Sequence, residues 1–429
     1  MPDFSVRSTA GEDARHDSRR PLKGLRVLEL AQVMAGPVTG LMLADLGADV
    51  IKIEKFPGGD DSRGFNSKGV GDMPASFEVL NRGKRSVALD LKSEAGQQAL
   101  RRLVQGADVL TENFRPGTLD KLGLGPSELL QLNPKLIYCT ITGYGRTGPL
   151  GKRGGFDLIL QAFSGLIAVT GEAGRAPVKP GVSIADVNAG ILAALGVLSA
   201  YIHVLKTGRG QHVETSLLQA SVQQLYWYAA LFFSGGTMPE RLGTAHPIIA
   251  PYQTFACADG EIALGGANEA NWVRITDVLA QPGWRADPRF RTARDRIQNR
   301  EALTQVLNEA LAPHTRAHWE DAFVSAGVPC GPVQSVGEAL THPQTRHLGM
   351  VVDADVAAGG SRPMIGFPIH FDGENRPAVS AAPRLGQHTL EVLAESGFSP
   401  GDIDALQDQG SIYQLAAAQH AAPLSESIA

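Results

Sequence analysis

From Leu25 onward the chain alternates short, almost unbroken apolar runs with stretches of helical length, and that alternation leaves few folds open. Leu25–Leu30 (LRVLEL) reads as a buried strand and Ala48–Glu54 (ADVIKIE) as a second. Between them Pro37–Leu46 reads as a helix with proline in its first turn, where a missing N–H costs nothing. Strand Ser86–Leu91, helix Ser93–Gln105, strand Asp108–Glu112, a Pro/Gly turn at Arg115–Gly117 and strand Lys135–Thr142 continue the pattern. Strands without polar alternation suit a sheet covered on both faces, and the β–α–β order makes it parallel with right-handed crossovers. The expected fold class is α/β.

Glycine dominates from Gly143 to Gly190, a stretch with little periodicity, which we read as a functional loop because the most apolar helix of the chain follows it. Strand Gln211–Thr215 and helix Leu217–Phe233 come next, completing a large domain over 21–233. Residues 234–250, opening with SGGTMPERLGTAH, read as a linker. Tyr252–Ala267 alternates as a hairpin turning at Ala258–Gly260, and helices Asn271–Ala280, Asn299–Leu311 and Ala317–Ala326 follow, which makes a smaller α+β domain of 251–339. Residues 340–412, with strand-like Met364–Phe371, return to the large domain; 1–20 read as a flexible arm and 413–429 as a flexible tail.

A formal net charge of −5 argues against nucleic acid or an anionic membrane as the main partner. The apolar run Ala189–Leu205 is interrupted by Ser199, Tyr201 and His203 and is short for a bilayer, so it reads as a buried helix. Cys139, Cys257 and Cys330 lie far apart without metal-ligand spacing; they indicate a reducing, cytoplasmic setting and no metal site. The polar N-terminal stretch lacks the apolar segment of a secretory signal.

The first β–α turn reads AQVMAGP rather than G-x-G-x-x-G, so its backbone cannot approach a dinucleotide pyrophosphate closely. Gly208–Gly210 lacks the Lys-Ser pattern of a phosphate loop and reads as a helix end. Asp186, in PGVSIADVNAG, precedes the apolar helix expected from about Asn188 and supports two readings. One is a helix N-cap. The other is a carboxylate kept ionised by the N–H groups and dipole of the helix end, approachable between flanking glycines, and able to attack an activated acyl group.

PLKGLRVLEL, AGP, LADLGADVIKIEKFPGGDDSR, NRGKRSVALDL, TENFRPGTLDKLGLG, ITGYGRTGP, SIADVNAG, KTGRGQHVETSL, GVPCGPV and RLGQHT occur in this order. Through them the chain resembles the class III CoA-transferases, a family that includes formyl-CoA and carnitine CoA-transferases and the related α-methylacyl-CoA racemases. The resemblance implies a Rossmann-like large domain, a small domain, and two chains interlocked as a homodimer with CoA between the domains. It places the catalytic carboxylate on Asp186 and CoA contacts on Lys55, Asn113, Arg115 and Lys121, whose cations and amide suit phosphate groups. No tightly bound cofactor is implied; the partners are an acyl-CoA and a carboxylic acid.

Two departures narrow the function. The racemases carry a proton-transferring His before the Asp of a Gly-His-Asp motif, whereas this chain has Gly155-Phe156-Asp157, and Phe cannot shuttle a proton. Formyl-CoA transferase has His and Gln at the positions of Gln32 and Met34 and a glycine run that closes over its aspartate; none is kept. RLGTAHPIIAPYQTF is instead similar to enzymes that use succinyl-CoA as donor and a dicarboxylate such as glutarate, malate or itaconate as acceptor. A second carboxylate needs its own partner, for which Arg63, Arg241 and His246 are the candidates. The rival readings are an α-methylacyl-CoA racemase and a non-catalytic CoA-binding protein.

Overall fold

Six parallel strands form the main sheet: β1 (Arg26–Leu30), β2 (Asp49–Glu54), β3 (Arg85–Leu89), β4 (Val109–Glu112), β5 (Ile137–Thr142) and β6 (Gln211–Ser216). The computed structural model describes residues 20–65, 73–235, 238, 240–357, 359–372 and 380–416. The strand order is β3-β2-β1-β4-β5-β6, and the short strand Ile412–Tyr413 adds antiparallel to β3. The sheet is apolar on both sides because both sides are covered. Val27, Val50, Val109, Ile137 and Cys139 meet Leu43, Ala189, Ala193 and Val197 on one face. Leu28, Ile51, Val87, Leu110 and Tyr138 meet Leu100, Leu103, Leu129 and Leu393 on the other.

This sheet belongs to a compact unit made of the described parts of Met1–Leu166, Pro180–Tyr226 and Pro343–Ala429. Its longest helix, Ile184–Thr207, is long and apolar enough by length and composition to cross a membrane. One stripe of it, Ala185, Ala189, Gly190, Ala193, Ala194, Val197 and Ala200, is buried in the unit. The small residues let it approach the helix Ala35–Asp45 closely: a Cβ on Gly190 would lie 2.6 Å from Ala35 O, and Thr39 Oγ1 donates to Gly190 O at 3.1 Å.

A second unit takes Ile167–Lys179 and Trp227–His342. Strands Tyr252–Cys257, Gly260–Gly265 and Cys330–Pro332 form its antiparallel sheet, and Phe255, Trp272, Phe290, Leu307 and Phe323 lie in its core. Of the segment expected to be a linker, 234–250, described residues bond within this unit: Gly243 N–H donates to Gly171 O and His246 N–H to Tyr252 O.

Several local expectations need correction. The glycine-rich stretch 143–190 contains the helix Asp157–Ser164 and the start of Ile184–Thr207; the first is only 8 residues, too short to show a helical period. The single helix expected over Leu217–Phe233 is two, Leu217–Gln223 and Tyr226–Gly235. The strand expected over Met364–Phe371 is Ser361–Ile365, and it pairs with Val351–Asp355 in a separate two-stranded sheet. Tyr413, expected to open the tail, pairs with Ala88 and stacks on Phe56 at 4.4 Å between ring centroids. The remainder of the arm and tail, 1–19 and 417–429, lies outside the described residues.

Candidate functional site

The strand order reverses between β1 and β4, so the chain leaves these two neighbours in opposite directions and opens a crevice beyond their carboxyl ends. Such switch points are where open α/β sheets bind ligands. Two loops line it: Ala31–Met34 after β1, and Asn113–Pro116 after β4. The two are tied together, since Gln32 N–H donates to Asn113 Oδ1 and Asn113 Nδ2 donates to Gln32 O, both at 2.9 Å. Gly36 makes this fit possible, because a Cβ there would overlap that of Ala31. Val33 sits in the left-handed region at φ 67°, strained for a β-branched side chain, and its N–H donates to Asp60 Oδ1 at 3.1 Å.

Asp186 lines a cavity of about 550 Å³ together with these loops. Its position and its charge both differ from the sequence reading. The helix starts at Ile184, with Ser183 before it, so Asp186 lies within the first turn rather than capping it. The helix end is engaged by another carboxylate: Asp157 Oδ1 accepts from Ala185 N–H at 3.0 Å, while Gln161 Nε2 donates to Asp157 Oδ2 at 2.6 Å. Burial, reinforced by repulsion from Asp157, pushes the Asp186 carboxyl up to about 7. Desolvation and a like charge therefore outweigh the helix dipole that was expected to keep it ionised.

The cavity wall is glycine where the backbone must pass closely. A Cβ on Gly143 would lie 2.8 Å from Gly155 N, and one on Gly155 would overlap Leu160. Arg115, Lys152 and Arg153 bring three cations to the lining, Asp61 a carboxylate, and Phe156 an exposed ring. A second cavity of about 370 Å³ shares Gln32 and Phe114 with the first and is lined by Lys55, Lys92, Phe56 and Leu119 among others. Among the described residues, no three His, Cys, Asp or Glu side chains are grouped to hold a metal.

The structure thus brings Asp186, Asn113 and Arg115 to one cavity and Lys55 to its neighbour. Asn113 acts there chiefly as a loop clamp. Lys121 is exposed on a short turn, Asp120–Leu122, and lines neither cavity. Arg63 is fully engaged: it makes a two-pronged pair with Glu54 at 2.7 Å, donates to Pro383 O and lies over the Phe77 ring at 3.8 Å. Arg241 and His246 belong to the second unit. Arg241 faces the carbonyls of Ala168 and Glu172, and the rings of Trp227 and Tyr252 flank His246. Burial and the Arg300 charge hold the His246 imidazole below its usual range. The sequence reading missed Lys92, Lys152, Arg153 and Asp157. The run Lys152-Arg153-Gly154-Gly155, two cations before two glycines, was a usable signal; Asp157 was visible only as the last residue of Gly155-Phe156-Asp157, and its contact with the helix Ile184–Thr207 depends on residues far along the chain.

Residues 22–389 match CoA-transferase family III. The chain is 38% identical to a succinate–glutarate CoA-transferase of Agrobacterium fabrum, covering 87% of this chain and 95% of that protein. It is 35% identical to a succinyl-CoA:mesaconate CoA-transferase of Haloarcula hispanica, covering 89% and 97%. A crystal structure of a CAIB/BAIF family protein from Brucella suis superposes with a TM-score of 0.78 at 39% identity, covering 88% of this chain and 100% of that one.

Proposed function

The chain belongs to CoA-transferase family III and is an enzyme that transfers CoA between acids; from that premise we propose that it moves CoA from succinyl-CoA to a free dicarboxylic acid, with the Asp186 carboxylate as covalent carrier. The observation that carries this reading is a half-buried carboxylate in a glycine-walled, cation-lined cavity at the switch point of the sheet. The dicarboxylate acceptors named for the relatives support the substrate class. Glutarate, malate and itaconate are the acceptors we propose to test first.

An ionised Asp186 oxygen attacks the thioester carbonyl, the C–S bond breaks, and CoA thiolate leaves a mixed anhydride on the side chain. The thiolate then attacks the aspartyl carbonyl, which releases the donor as free carboxylate and leaves an aspartyl-CoA thioester. The acceptor carboxylate attacks that carbonyl, the thiolate departs, and a second anhydride forms. Thiolate attack on its acceptor carbonyl yields the new acyl-CoA and restores the Asp186 carboxylate. No proton is consumed, so the group must only be ionised at the start. Water must be excluded, because it would hydrolyse each anhydride. The N–H groups of Gly143, Gly154 and Gly155 are suited to stabilise the oxyanions.

The second cavity suits the nucleotide end of CoA: Lys55 and Lys92 supply charge for phosphate, Phe56 and Phe114 a ring face. Gln32 and Phe114, common to both cavities, mark the passage to Asp186, where Arg115, Lys152 and Arg153 offer charge for pyrophosphate or for the acceptor's far carboxylate. The racemase reading lacks a proton carrier, since Phe156 stands at the cavity where one would be needed. We further propose a homodimer, supported by the apolar face Ile191, Leu195, Ile202 and Leu205 that the helix Ile184–Thr207 leaves exposed.

The test is a CoA-exchange assay with succinyl-CoA and a panel of free acids, read by mass of the CoA esters, combined with hydroxylamine or borohydride trapping during turnover. Transfer to a dicarboxylate with modification at Asp186, both lost in Asp186→Ala, is the expected result. Wild-type turnover in Asp186→Ala sinks the assignment. Light scattering of the intact chain decides the dimer, and a monomer at micromolar concentration refutes it.

A further inference from the structure

Four buried charges sit beneath the loop that lines the cavity, outside the chemistry just described. Asp60, Lys52, Glu29 and Lys84 form a chain: Lys52 Nζ meets Asp60 Oδ2 at 2.8 Å and Glu29 Oε1 at 2.9 Å, and Lys84 Nζ meets Glu29 Oε2 at 2.8 Å. All four side chains have 0% exposure. Buried ion chains are costly to desolvate and are matched by apolar packing in most cores, so stability alone is a weak reason for one here.

The chain grips the backbone at three points, two in the loop and one in the first turn of the helix Ala35–Asp45 that follows it. Lys52 Nζ donates to Ala31 O at 2.8 Å, both Asp60 oxygens accept from Val33 N–H at 3.1 and 3.3 Å, and Lys84 Nζ donates to Pro37 O at 2.9 Å. The middle grip falls on the one residue of the loop in left-handed backbone, Val33. Ser62 steadies the same carboxylate, donating to Asp60 Oδ1 from Oγ at 2.7 Å and from N–H at 2.9 Å. Gly40 leaves room for the assembly, since a Cβ there would overlap the Glu29 carboxylate.

We infer that Asp60 is a positioning residue: it holds Val33 in a strained conformation and so fixes the Gln32–Met34 wall of the cavity that Asp186 lines. A branched side chain does not keep this backbone unaided, and a relaxed Val33 would swing Gln32 and Met34 out of place. Burial alone would raise the Asp60 carboxyl; the Lys52 charge instead holds it down to about 2, so the grip persists at every working pH. The inference rests on the reading of this cavity as the transfer site; Asp60 also borders the second cavity, but its side chain has no exposure there, so the inference assigns it no contact with substrate.

The test separates geometry from fold. Asp60→Ala is expected to lower kcat about tenfold or more while KM for succinyl-CoA stays within about threefold, the signature of a misplaced wall rather than a lost binding contact. Glycine adopts φ 67° freely, so adding Val33→Gly is expected to return kcat to within about threefold of Val33→Gly alone. A merely structural role for Asp60 gives no such rescue. Ser62→Ala, which removes no charge, is expected to show a smaller loss in the same direction, again relieved by Val33→Gly, and it decides the matter if Asp60→Ala does not fold. Wild-type kcat in a folded Asp60→Ala, or a loss that Val33→Gly leaves unrelieved, overturns the inference. Amide exchange of a peptide spanning residues 31–37 adds a readout independent of turnover: faster exchange in Ser62→Ala or Asp60→Ala supports the grip, and unchanged exchange overturns it. A wild-type chain that exchanges no CoA instead overturns the transfer reading, with the exchange result still deciding the role of Asp60.

Discussion

Replacing Asp186 with Asn removes a negative charge from a half-buried position while keeping the shape of the side chain. The folded carboxyl holds its proton up to about 7, whereas the unstructured group releases it near 3.8. The folded state therefore binds more protons over that interval, and stability falls as pH rises through it. Taken whole, the interval corresponds to about 4 kcal/mol. Asp186 is partly open to the cavity, and solvent screening reduces the effect to ~2 kcal/mol. The helix dipole offsets about 0.5 kcal/mol of it, since a first-turn carboxylate is favoured there. Asp186→Asn should thus gain stability over wild type progressively from about pH 4 to about pH 7 and hold a level advantage above. For a chain of this size the widening is about 2 °C in Tm, measured by scanning calorimetry of both proteins in a buffer series. A gap that stays constant across the series, or narrows as pH rises, would falsify the claim that burial and Asp157 keep this carboxyl protonated.

The same titration should appear in catalysis: kcat/KM for succinyl-CoA should rise with pH through about 7 and then level, and a rate already flat from about pH 5 upward would contradict an ionised Asp186 as the attacking group. Asp157→Asn keeps an acceptor for Ala185 N–H but removes the repelling charge, so the midpoint of that profile should move to lower pH; an unmoved midpoint would leave burial as the sole cause. Gly190→Ala forces a methyl against Ala35 O and should destabilise the large unit by about 1–3 kcal/mol in urea unfolding, with wild-type stability counting against the close helix contact.

Much of this molecule was readable along the chain. The near-continuous apolar runs at Arg26–Leu30, Asp49–Glu54 and Ile137–Thr142 announced a sheet covered on both faces, because a strand exposed on one side would alternate. Asp186 was legible as a candidate because an acidic side chain ahead of an apolar, small-residue helix is a local pattern, and the ordered motifs marked the family. Arg63 shows the opposite case. Its charge was visible, but its engagement by Glu54, Pro383 and Phe77 arises from residues distant in the chain, and only that engagement removes it from the pool of free cations.

Composition and pattern by themselves determined the class of fold and the order of its strands along the chain, since each depends on side chains within a few residues of one another; for Asp186 they left a helix cap and a nucleophile both open, and the resemblance to the family made it the candidate carboxylate. Tertiary structure alone decided the charge on that carboxylate and the shape of the wall around it. Locally, Asp186 looks ionised. Folding half-buries it and sets Asp157 beside it, and so reverses the local reading; it likewise sets Glu29 beside the buried Lys52 and Lys84. Solvation and Coulomb energies depend on distance through space, and sequence separation carries almost none of that information.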